Sequence, residues 1–299
     1  MKVEKNLEEI SSKIEKFIRD SVERFNKKGI IIGLSGGIDS AVVGFLSVRA
    51  LGKDRVFGLI MPDKESTPEN IKDAKEIANL LAIEHKEIDL TPLLTEIGVY
   101  NLIPFKIGKN KFLLNQALKL FKKRMKINMI HSLGILGVTT PNKIFQRANA
   151  VILPKLRLRS LLLYYLGTLK NFLVAGTTNK TEYLLGHYDK YGDGACDIEP
   201  IIGLYKTQVK ELAKFLGVAG KIIEKPASHD LFAGSILTDE VLMGMNFERV
   251  DSILIGLEEG KENKKLAEEL GVEIKIIEEV KMAIANEKIK REMPFLPDV

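Results

Sequence analysis

The chain has 299 residues, of which 45% are hydrophobic and 28% charged, and its formal net charge is +5. This size and composition fit one large globular domain with a substantial buried core. The single cysteine excludes an internal disulfide framework and any zinc or iron–sulfur site that needs several cysteines.

The first elements in chain order are a helix, a strand and a second helix. Apolar residues recur at helical spacing over residues 5–26, which predicts the first helix. A β-branched run at residues 30–32 predicts a strand, and residues 41–51 are again apolar at helical spacing. A glycine turn therefore joins a strand directly to a helix.

The turn between that strand and helix carries the side chains of a phosphate-binding loop. Gly36 and Gly37 let the backbone approach a ligand and point N–H groups at it, while Ser35 and Ser40 supply hydroxyl donors. Asp39 supplies a carboxylate for a magnesium ion that bridges phosphate oxygens. No Gly-Lys-Ser/Thr sequence occurs here, so this is not the P-loop of the common NTPases. The alternative is an ordinary turn in which Ser40 or Asp39 caps the helix.

Two further strands and a helix extend the pattern. Strands are predicted at residues 56–61 and 84–90, and the helix between them begins near Pro68. Strands that alternate with helices predict an α/β fold with a doubly wound parallel sheet and flanking helices. Ligands of such sheets bind beyond the carboxyl ends of the strands, which is where residues 35–40 lie.

Residues 91–150 are less regular and include a basic stretch. Residues 106–126 contain several lysines and one arginine but no acidic residue. A solvated amphipathic helix explains this stretch better than a nucleic-acid contact, because apolar residues at helical spacing form its buried side: Leu114, Ala117, Leu118, Phe121 and Met125.

The second half continues the alternation of strands and helices. Its predicted elements are a helix at 155–170, a strand at 172–176, helices at 180–185 and 205–216, and a charged, mostly helical tail after residue 247.

Polar residues gather around the short helix of the second half. Glu182 lies in its first turn, where a carboxylate either complements the helix dipole or coordinates a metal. Residues 188–197 combine aspartates, glycines and a lysine, which fits either a surface loop or a ligand contact. Cys196 is interpreted as a small space-filling residue.

Several of these segments resemble known motifs. Residues 35–40, Ser-Gly-Gly-Ile-Asp-Ser, resemble the pyrophosphate-binding loop of the N-type ATP pyrophosphatases. Three later segments resemble the ammonia-dependent NAD synthetase family: Gly-Thr-Thr-Asn-Lys-Thr-Glu, Lys-Tyr-Gly-Asp-Gly-Ala-Cys-Asp-Ile-Glu-Pro and Leu-Tyr-Lys-Thr-Gln-Val-Lys-Glu-Leu-Ala. The resemblance implies an adenine nucleotide alpha hydrolase-like fold in a single domain over residues 1–299. We also expect a divergent insert at about 95–150, with extra helical segments at 91–150 and at the C-terminus.

The resemblance also implies roles for individual residues, with ATP and Mg²⁺ as cofactors. Asp39 and Lys206 would act in catalysis, and Asp39 and Glu182 would hold the magnesium ion. The ATP contacts would be Ser35, Gly36, Gly37, Asp39, Ser40, Thr177, Lys206 and Ser228, and the contacts to deamido-NAD would be Arg157, Lys190 and Asp197.

The implied reaction amidates deamido-NAD with ammonia. A substrate carboxylate attacks the α-phosphorus of ATP, which gives an acyl-adenylate and pyrophosphate, and ammonia then displaces AMP. Charge gathers on phosphate oxygens, so the chemistry needs positioning, Lys206, backbone N–H groups and magnesium rather than a side-chain nucleophile. The four histidines of the chain, none in a triad-like context, agree with this expectation.

Three regions depart from the family's pattern. Residues 226–240 differ from the family's Pro-Ser-Ala-Asp-Leu-Trp loop, and Leu242 replaces an acidic residue. Ile289 stands where the family has the histidine of His-Lys-Arg, and residues 95–150 match poorly. The alternative is therefore a related ATP pyrophosphatase that adenylates a different carboxylate or carbonyl acceptor, such as one on tRNA.

The expected partners are small molecules and a second copy of the chain. The resemblance implies a homodimer, whereas a membrane or nucleic-acid partner is not expected. Residues 1–5 begin no apolar signal-peptide stretch, and no run of eighteen uncharged apolar residues occurs, so we expect a cytoplasmic protein. No glutaminase domain is expected within the chain, and a separate glutaminase that supplies ammonia stays open.

Overall fold

The computed structural model describes residues 6–102, 143–226, 240 and 243–292. Its strands are Gly29–Gly33 (β1), Val56–Ile60 (β2), Glu84–Glu87 (β3) and Phe172–Ala175 (β4). Its helices are Leu7–Arg24 (α1), Ile38–Leu51 (α2), Pro68–Leu80 (α3), Thr91–Glu96 (α4), Lys143–Lys170 (α5), Lys180–Leu185 (α6), Lys206–Phe215 (α7), Gly220–Ile223 (α8), Phe247–Glu258 (α9), Asn263–Leu270 (α10), Ile274–Asn286 (α11) and Lys288–Arg291 (α12). Short 3₁₀ turns occupy Lys53–Arg55 and Val99–Asn101.

The four strands form one parallel sheet in the order β3-β2-β1-β4. In the central strand, Ile30 pairs with Val56 on one side and with Leu173 on the other. The predicted α/β class is therefore confirmed. Because all strands run the same way, their carboxyl ends meet at one edge of the sheet.

Both faces of the sheet are covered by helices, and β1 contributes to both cores. Ile30 and Ile32 pack with residues of α1, α2, α3 and α7, whereas Ile31 packs on the other face with residues of α4 and α5. All three side chains are fully buried. Burial on both faces is the physical reason why β1 is continuously apolar rather than alternating.

A third apolar cluster joins the C-terminal helices to the middle of the chain. Residues of α9, α10 and α11 pack around Leu185 of α6 and Tyr205, which precedes α7. The predicted helical tail is confirmed for the described residues. Among these residues, no helix is long and apolar enough to cross a membrane.

Two elements differ from their predicted extents by more than two residues at one end. Helix α5 begins at Lys143 rather than at residue 155, and it continues through Pro154. A proline normally breaks a helix, but Val151 is buried in the core of that face, so tertiary packing outweighs the local preference. Strand β3 ends at Glu87, although the N–H of Leu90 still bonds to the carbonyl of Pro62 beyond it.

Candidate active site

The Ser-Gly-Gly loop lies directly after β1, at the carboxyl edge of the sheet. Gly36 has φ +77°, which favours glycine, and a Cβ there would lie 2.3 Å from the carbonyl oxygen of Asn70 in α3. Gly37 is the N-cap residue of α2 and has extended backbone angles. The two glycines therefore serve different purposes: Gly36 allows helix α3 to pack closely, and Gly37 starts helix α2.

The two serine hydroxyls of the loop are hydrogen-bonded within it. The Oγ of Ser40 donates to the carbonyl of Gly37 at 3.0 Å and lies 3.2 Å from the Oγ of Ser35. The Oγ of Ser35 accepts the N–H of Gly37 at 3.2 Å. These bonds fix the positions of both hydroxyls, which line the cavity where a phosphate group would bind.

Asp39 does not cap helix α2, contrary to the alternative interpretation of the sequence. No side chain makes the capping bond of this helix, and the Asp39 carboxylate points across the carboxyl edge of the sheet instead. Its Oδ1 accepts from the Nδ2 of Asn179 at 3.0 Å, and its Oδ2 lies 2.5 Å from the Nζ of Lys206. Asp39 therefore joins a segment 140 residues further along the chain.

The two carboxylate oxygens of Glu182 make different contacts. Its Oε2 accepts the N–H of Asn179 at 3.2 Å, while its own N–H donates to the Oδ1 of Asn179 at 3.1 Å, which is a capping box on α6. Its other oxygen, Oε1, lies 3.3 Å from the Nζ of Lys206. The capping box fixes the helix start, so the second oxygen is aimed at Lys206 and Asp39.

Lys206 is 2% exposed. Its backbone is held through Thr181 by Asp251, a residue that the sequence patterns did not point to. The N–H of Lys206 donates to the Oγ1 of Thr181, whose hydroxyl donates to the Oδ1 of Asp251 at 2.6 Å. The Oδ2 of Asp251 accepts the N–H of Thr207 at 2.8 Å. Burial raises the pKa of Asp251 above its ordinary value. An aspartate on the buried face of the apolar helix α9 was the available indication of this role.

A cavity of about 300 Å³ opens at this edge of the sheet. Seven of the residues predicted from the sequence lie in its wall. They are Ser35, Gly37, Asp39, Ser40, Thr177, Glu182 and Lys206.

The carboxylates of Asp39 and Glu182 fit a magnesium site that is shared with a phosphate ligand. Their oxygens lie 2.5 and 3.3 Å from the Nζ of Lys206, so both carboxylates already face one positive charge. Both side chains are largely buried, with 17% and 15% exposure. Mg²⁺ is usually bound by one or two carboxylates together with phosphates and waters, so this pair has the right chemistry for it. Within the described residues no group of three or more acidic, histidine or cysteine side chains is placed to hold a metal.

The three residues expected to contact deamido-NAD are paired with other protein groups. Arg157 makes a bidentate ion pair with Asp189, with N–O distances of 2.9 and 3.2 Å, and this hydrogen bonding raises the pKa of Arg157. The Nζ of Lys190 donates to the carbonyl of Glu292, and the Oδ2 of Asp197 accepts the N–H of Val174.

The cavity wall contains an arginine of α5, Arg159, to which the sequence patterns gave no role. Arg159 lines the cavity, and its Nε donates to the carbonyl of Met61 at 3.3 Å. Its guanidinium also lies 3.7 Å from Asp63, which is shared with the fully buried Lys155. Arg157, in contrast, does not belong to the cavity wall formed by the described residues.

The C-terminal Lys-Arg pair contacts backbone carbonyls at the end of α6. The Nζ of Lys290 donates to the carbonyls of Gly186 at 2.6 Å and Tyr188 at 3.2 Å, and it pairs with Glu287 at 2.9 Å. Arg291 donates to two further carbonyls near the end of the same helix. These cations stabilise the helix that begins with Glu182, because the last carbonyls of a helix have no partner within it.

Cys196 and Glu199 lie next to the strand-to-helix turn of the second half, and Cys196 also lines the cavity. Cys196 packs with the core of that face, as predicted, and burial raises the pKa of its thiol, so the neutral form is favoured. Glu199 accepts the N–H of Thr178 at 3.1 Å, and a Cβ on Gly176 would lie 2.4 Å from its carboxyl group. No local pattern in the sequence indicated a role for Glu199.

Some sequence predictions concern residues outside the described part of the chain. They are the ATP contact assigned to Ser228, the divergent positions at 227–239 and 242, and the basic stretch at 106–126.

Comparisons with known proteins agree on one family. The family model described as NAD synthase matches residues 10–146 and 139–294. The NH(3)-dependent NAD(+) synthetase of Thermotoga neapolitana is 41% identical over 285 residues, which cover 94% of each chain. The structure of NMN synthetase from Francisella tularensis aligns with a TM-score of 0.72 and 28% identity, over 99% of this chain and all of the other. The NH3-dependent NAD synthetase from Campylobacter jejuni aligns with a TM-score of 0.67 and 28% identity, over 98% of this chain and all of the other.

Proposed function

The chain belongs to the NAD synthase family and is a ligase that forms a C–N bond, and we propose that Asp39, Glu182 and Lys206 form its reaction centre. The reaction is the ATP-dependent amidation of deamido-NAD by ammonia, in agreement with the main interpretation of the sequence rather than with the tRNA alternative. The observation that carries the proposal is the meeting of these three side chains beside the serine–glycine loop.

Asp39 and Glu182 are the residues that would hold a magnesium ion. When bound, this ion neutralises charge on the phosphate oxygens of ATP and fixes their positions. Lys206 is buried between the two carboxylates, so it holds them together and presents one further positive charge to the cavity.

The loop residues would bind the part of ATP that leaves as pyrophosphate. Ser35 and Ser40 offer hydroxyl donors and Gly37 lines the cavity with them, while Gly36 allows the turn that presents them. Thr177, in the turn between β4 and α6, lines the same cavity. The oxygens that gain charge as pyrophosphate leaves would therefore face several fixed donors, which is the main source of rate enhancement in this chemistry.

Arg157, Lys190 and Asp197 stay our candidates for the contacts to the acceptor. The Arg157 side chain is 47% exposed, so an anionic ligand can reach its guanidinium while the buried Asp189 stays paired with it. An ion pair of this kind keeps the guanidinium positioned before the ligand binds.

A homodimer would explain an exposed apolar stripe on α5. Leu161, Tyr165 and Leu169 recur every four residues and are 63%, 57% and 66% exposed. Exposed stripes of this kind mark interaction surfaces. Sedimentation of wild type and of a Leu161→Asp, Leu169→Asp double variant tests this assignment. We expect a dimer for the wild type and a monomer for the variant, and a monomeric wild type would contradict it.

A substrate screen tests the function. Wild-type protein is incubated with ATP, magnesium and ammonium, and AMP and pyrophosphate release are measured with deamido-NAD, with its mononucleotide analogue, or without acceptor. The analogue is included because one structural neighbour is an NMN synthetase. We expect release to be fastest with deamido-NAD and to be abolished by Asp39→Ala. Equal release with and without deamido-NAD would refute the proposed acceptor.

A further inference from the structure

A buried carboxylate near the loop is paired with two lysines at once. Asp73 of α3 has 6% side-chain exposure, and its Oδ2 lies 2.6 Å from the Nζ of Lys225. Its Oδ1 lies 3.0 Å from the Nζ of Lys221, which also contacts Glu76. Burial acts to raise the pKa of Asp73, but the hydrogen bonds from Lys225 and Lys221 outweigh it and hold the pKa below its ordinary value.

The two lysines differ in their position relative to the cavity. Lys225 lies in the cavity wall and is 20% exposed, whereas the 50% exposed Lys221 is not among the described residues that line it. Asp73, the partner of Lys225, follows Asn70 by three residues in α3, and Asn70 lines the cavity as well, so we take Lys225 and Asn70 as one wall. Because the backbone of Asn70 packs tightly against Gly36, this wall adjoins the end of the cavity where the loop lies.

The charges leave Lys225 able to change partners at low cost. If Lys225 turns toward an anion in the cavity, Asp73 keeps the ion pair with Lys221. Leaving a buried carboxylate without any cation strongly destabilises a fold. Lys221 prevents this, because it stays paired with Asp73 when Lys225 moves away. Lys206 lacks this freedom, because it holds Asp39 and Glu182 together.

We propose that Lys225 is a further catalytic residue, which binds the β- and γ-phosphate oxygens of ATP and stabilises pyrophosphate as it leaves. This inference rests on the proposed function. In the step concerned, an acceptor carboxylate oxygen forms a bond to the α-phosphorus, and the bond from the α-phosphorus to the bridging oxygen breaks. The electron pair of that bond stays on pyrophosphate, whose added charge faces the Lys225 ammonium group. Asp73 is the positioning residue, and Lys221 supplies its second cation.

Product inhibition of the full-length protein tests the proposal, with Lys221→Met as a matched control. Both substitutions remove one lysine from Asp73, but only Lys225→Met removes a cation from the cavity. Loss of a charge-assisted hydrogen bond predicts a rise of about tenfold or more in the inhibition constant of pyrophosphate for Lys225→Met. We expect the inhibition constant of AMP to change by less than about twofold in both variants. Lys221→Met should raise the inhibition constant of pyrophosphate by only about twofold to threefold, because Asp73 then holds its one remaining lysine, Lys225, more tightly. Lys225→Arg should restore part of the pyrophosphate affinity.

Two results would overturn the assignment. One is an unchanged inhibition constant of pyrophosphate in Lys225→Met, and the other is an equal loss in Lys225→Met and Lys221→Met. Thermal unfolding of each variant shows whether it is folded, and Lys225→Gln replaces Lys225→Met if the latter is not. Calorimetric titration of pyrophosphate into wild type and variant tests the contact without any acceptor. A wild type inactive toward deamido-NAD therefore refutes the proposed function separately.

Discussion

The two sides of the candidate active site differ in how their side chains are engaged. On the loop side, Asp39, Glu182 and Lys206 contact one another and line the cavity. On the acceptor side, the charged group of Arg157 is paired with Asp189. The other two expected acceptor contacts, Lys190 and Asp197, are likewise bonded to protein groups.

This difference reflects how each side is built. The loop side is formed where β1 and β4 end next to each other, so the ladder of the sheet fixes the distances between its residues. The acceptor side is formed by α5, the segment 188–197 and the C-terminal helices, which meet through side-chain contacts. Under the proposed function, the loop side would receive ATP in its present arrangement, whereas the residues expected to contact the acceptor are already bonded to protein groups.

The largest expected effect comes from removing one charge on the loop side. Asp39→Asn keeps the shape of the side chain but weakens the hold on Lys206 and on magnesium, so we expect kcat/KM for ATP to fall by about 10³-fold. AMP release with deamido-NAD and ammonium measures this. Asp54→Asn, on the exposed turn Lys53–Arg55, is the control and should retain full activity. If Asp39→Asn keeps more than a tenth of the activity, Asp39 does not belong to the reaction centre.

A smaller effect is expected on the acceptor side. Arg157→Ala removes a charge-assisted contact, so the KM for deamido-NAD should rise by about tenfold while the KM for ATP stays the same. Steady-state kinetics with each substrate varied in turn gives both constants. If both KM values rise together, Arg157 serves the structure as a whole rather than the acceptor.

Lys290, which bonds to carbonyls after the end of α6, is expected to matter more for stability than for catalysis. Lys290→Met leaves Glu287 without its cation and two carbonyls without a donor, so the free energy of unfolding should fall by about 3 kcal/mol. We expect kcat to fall by only about threefold, because the capping box of α6 still positions Glu182. Urea unfolding compares it with Lys288→Met, whose side chain is 73% exposed. A loss of activity as large as that of Asp39→Asn would show that Lys290 takes part in the chemistry.

The smallest effect on activity is expected for Glu199, behind the loop side. Burial raises the pKa of Glu199 to about 7, from an ordinary value of 4.5. The folded state thus prefers the neutral acid, and the corresponding stability is fully present below pH 4.5 and is lost as the pH rises through 7. The loss amounts to about 3 kcal/mol.

Glu199→Gln should remove this pH dependence while changing kcat by less than about twofold, because the group acts through the fold rather than on the substrate. Urea unfolding of wild type and variant at pH 5 and pH 8 measures it. Parallel pH profiles for the two proteins would show that the carboxyl group does not titrate in this range.

Most of the loop side could be predicted from the sequence, because each of its residues follows a local pattern. Asp39 follows a buried strand and a glycine turn, and Glu182 follows a second strand and turn. Parallel strands bring such positions to one edge. The charged groups that support them could not be predicted this way. Asp73 meets Lys225 across 152 residues, and Asp251 meets Thr181 across 70.

The sequence by itself determined the order of strands and helices, the α/β class and the phosphate loop, because periodicity and glycine geometry are local properties. It did not determine that α5 passes through Pro154, or that Arg159 rather than Arg157 lines the cavity. The tertiary structure decided these points, along with the partners of Asp73, Glu199 and Asp251. Burial and ion pairing depend on which elements pack together, and these contacts join residues far apart in the chain.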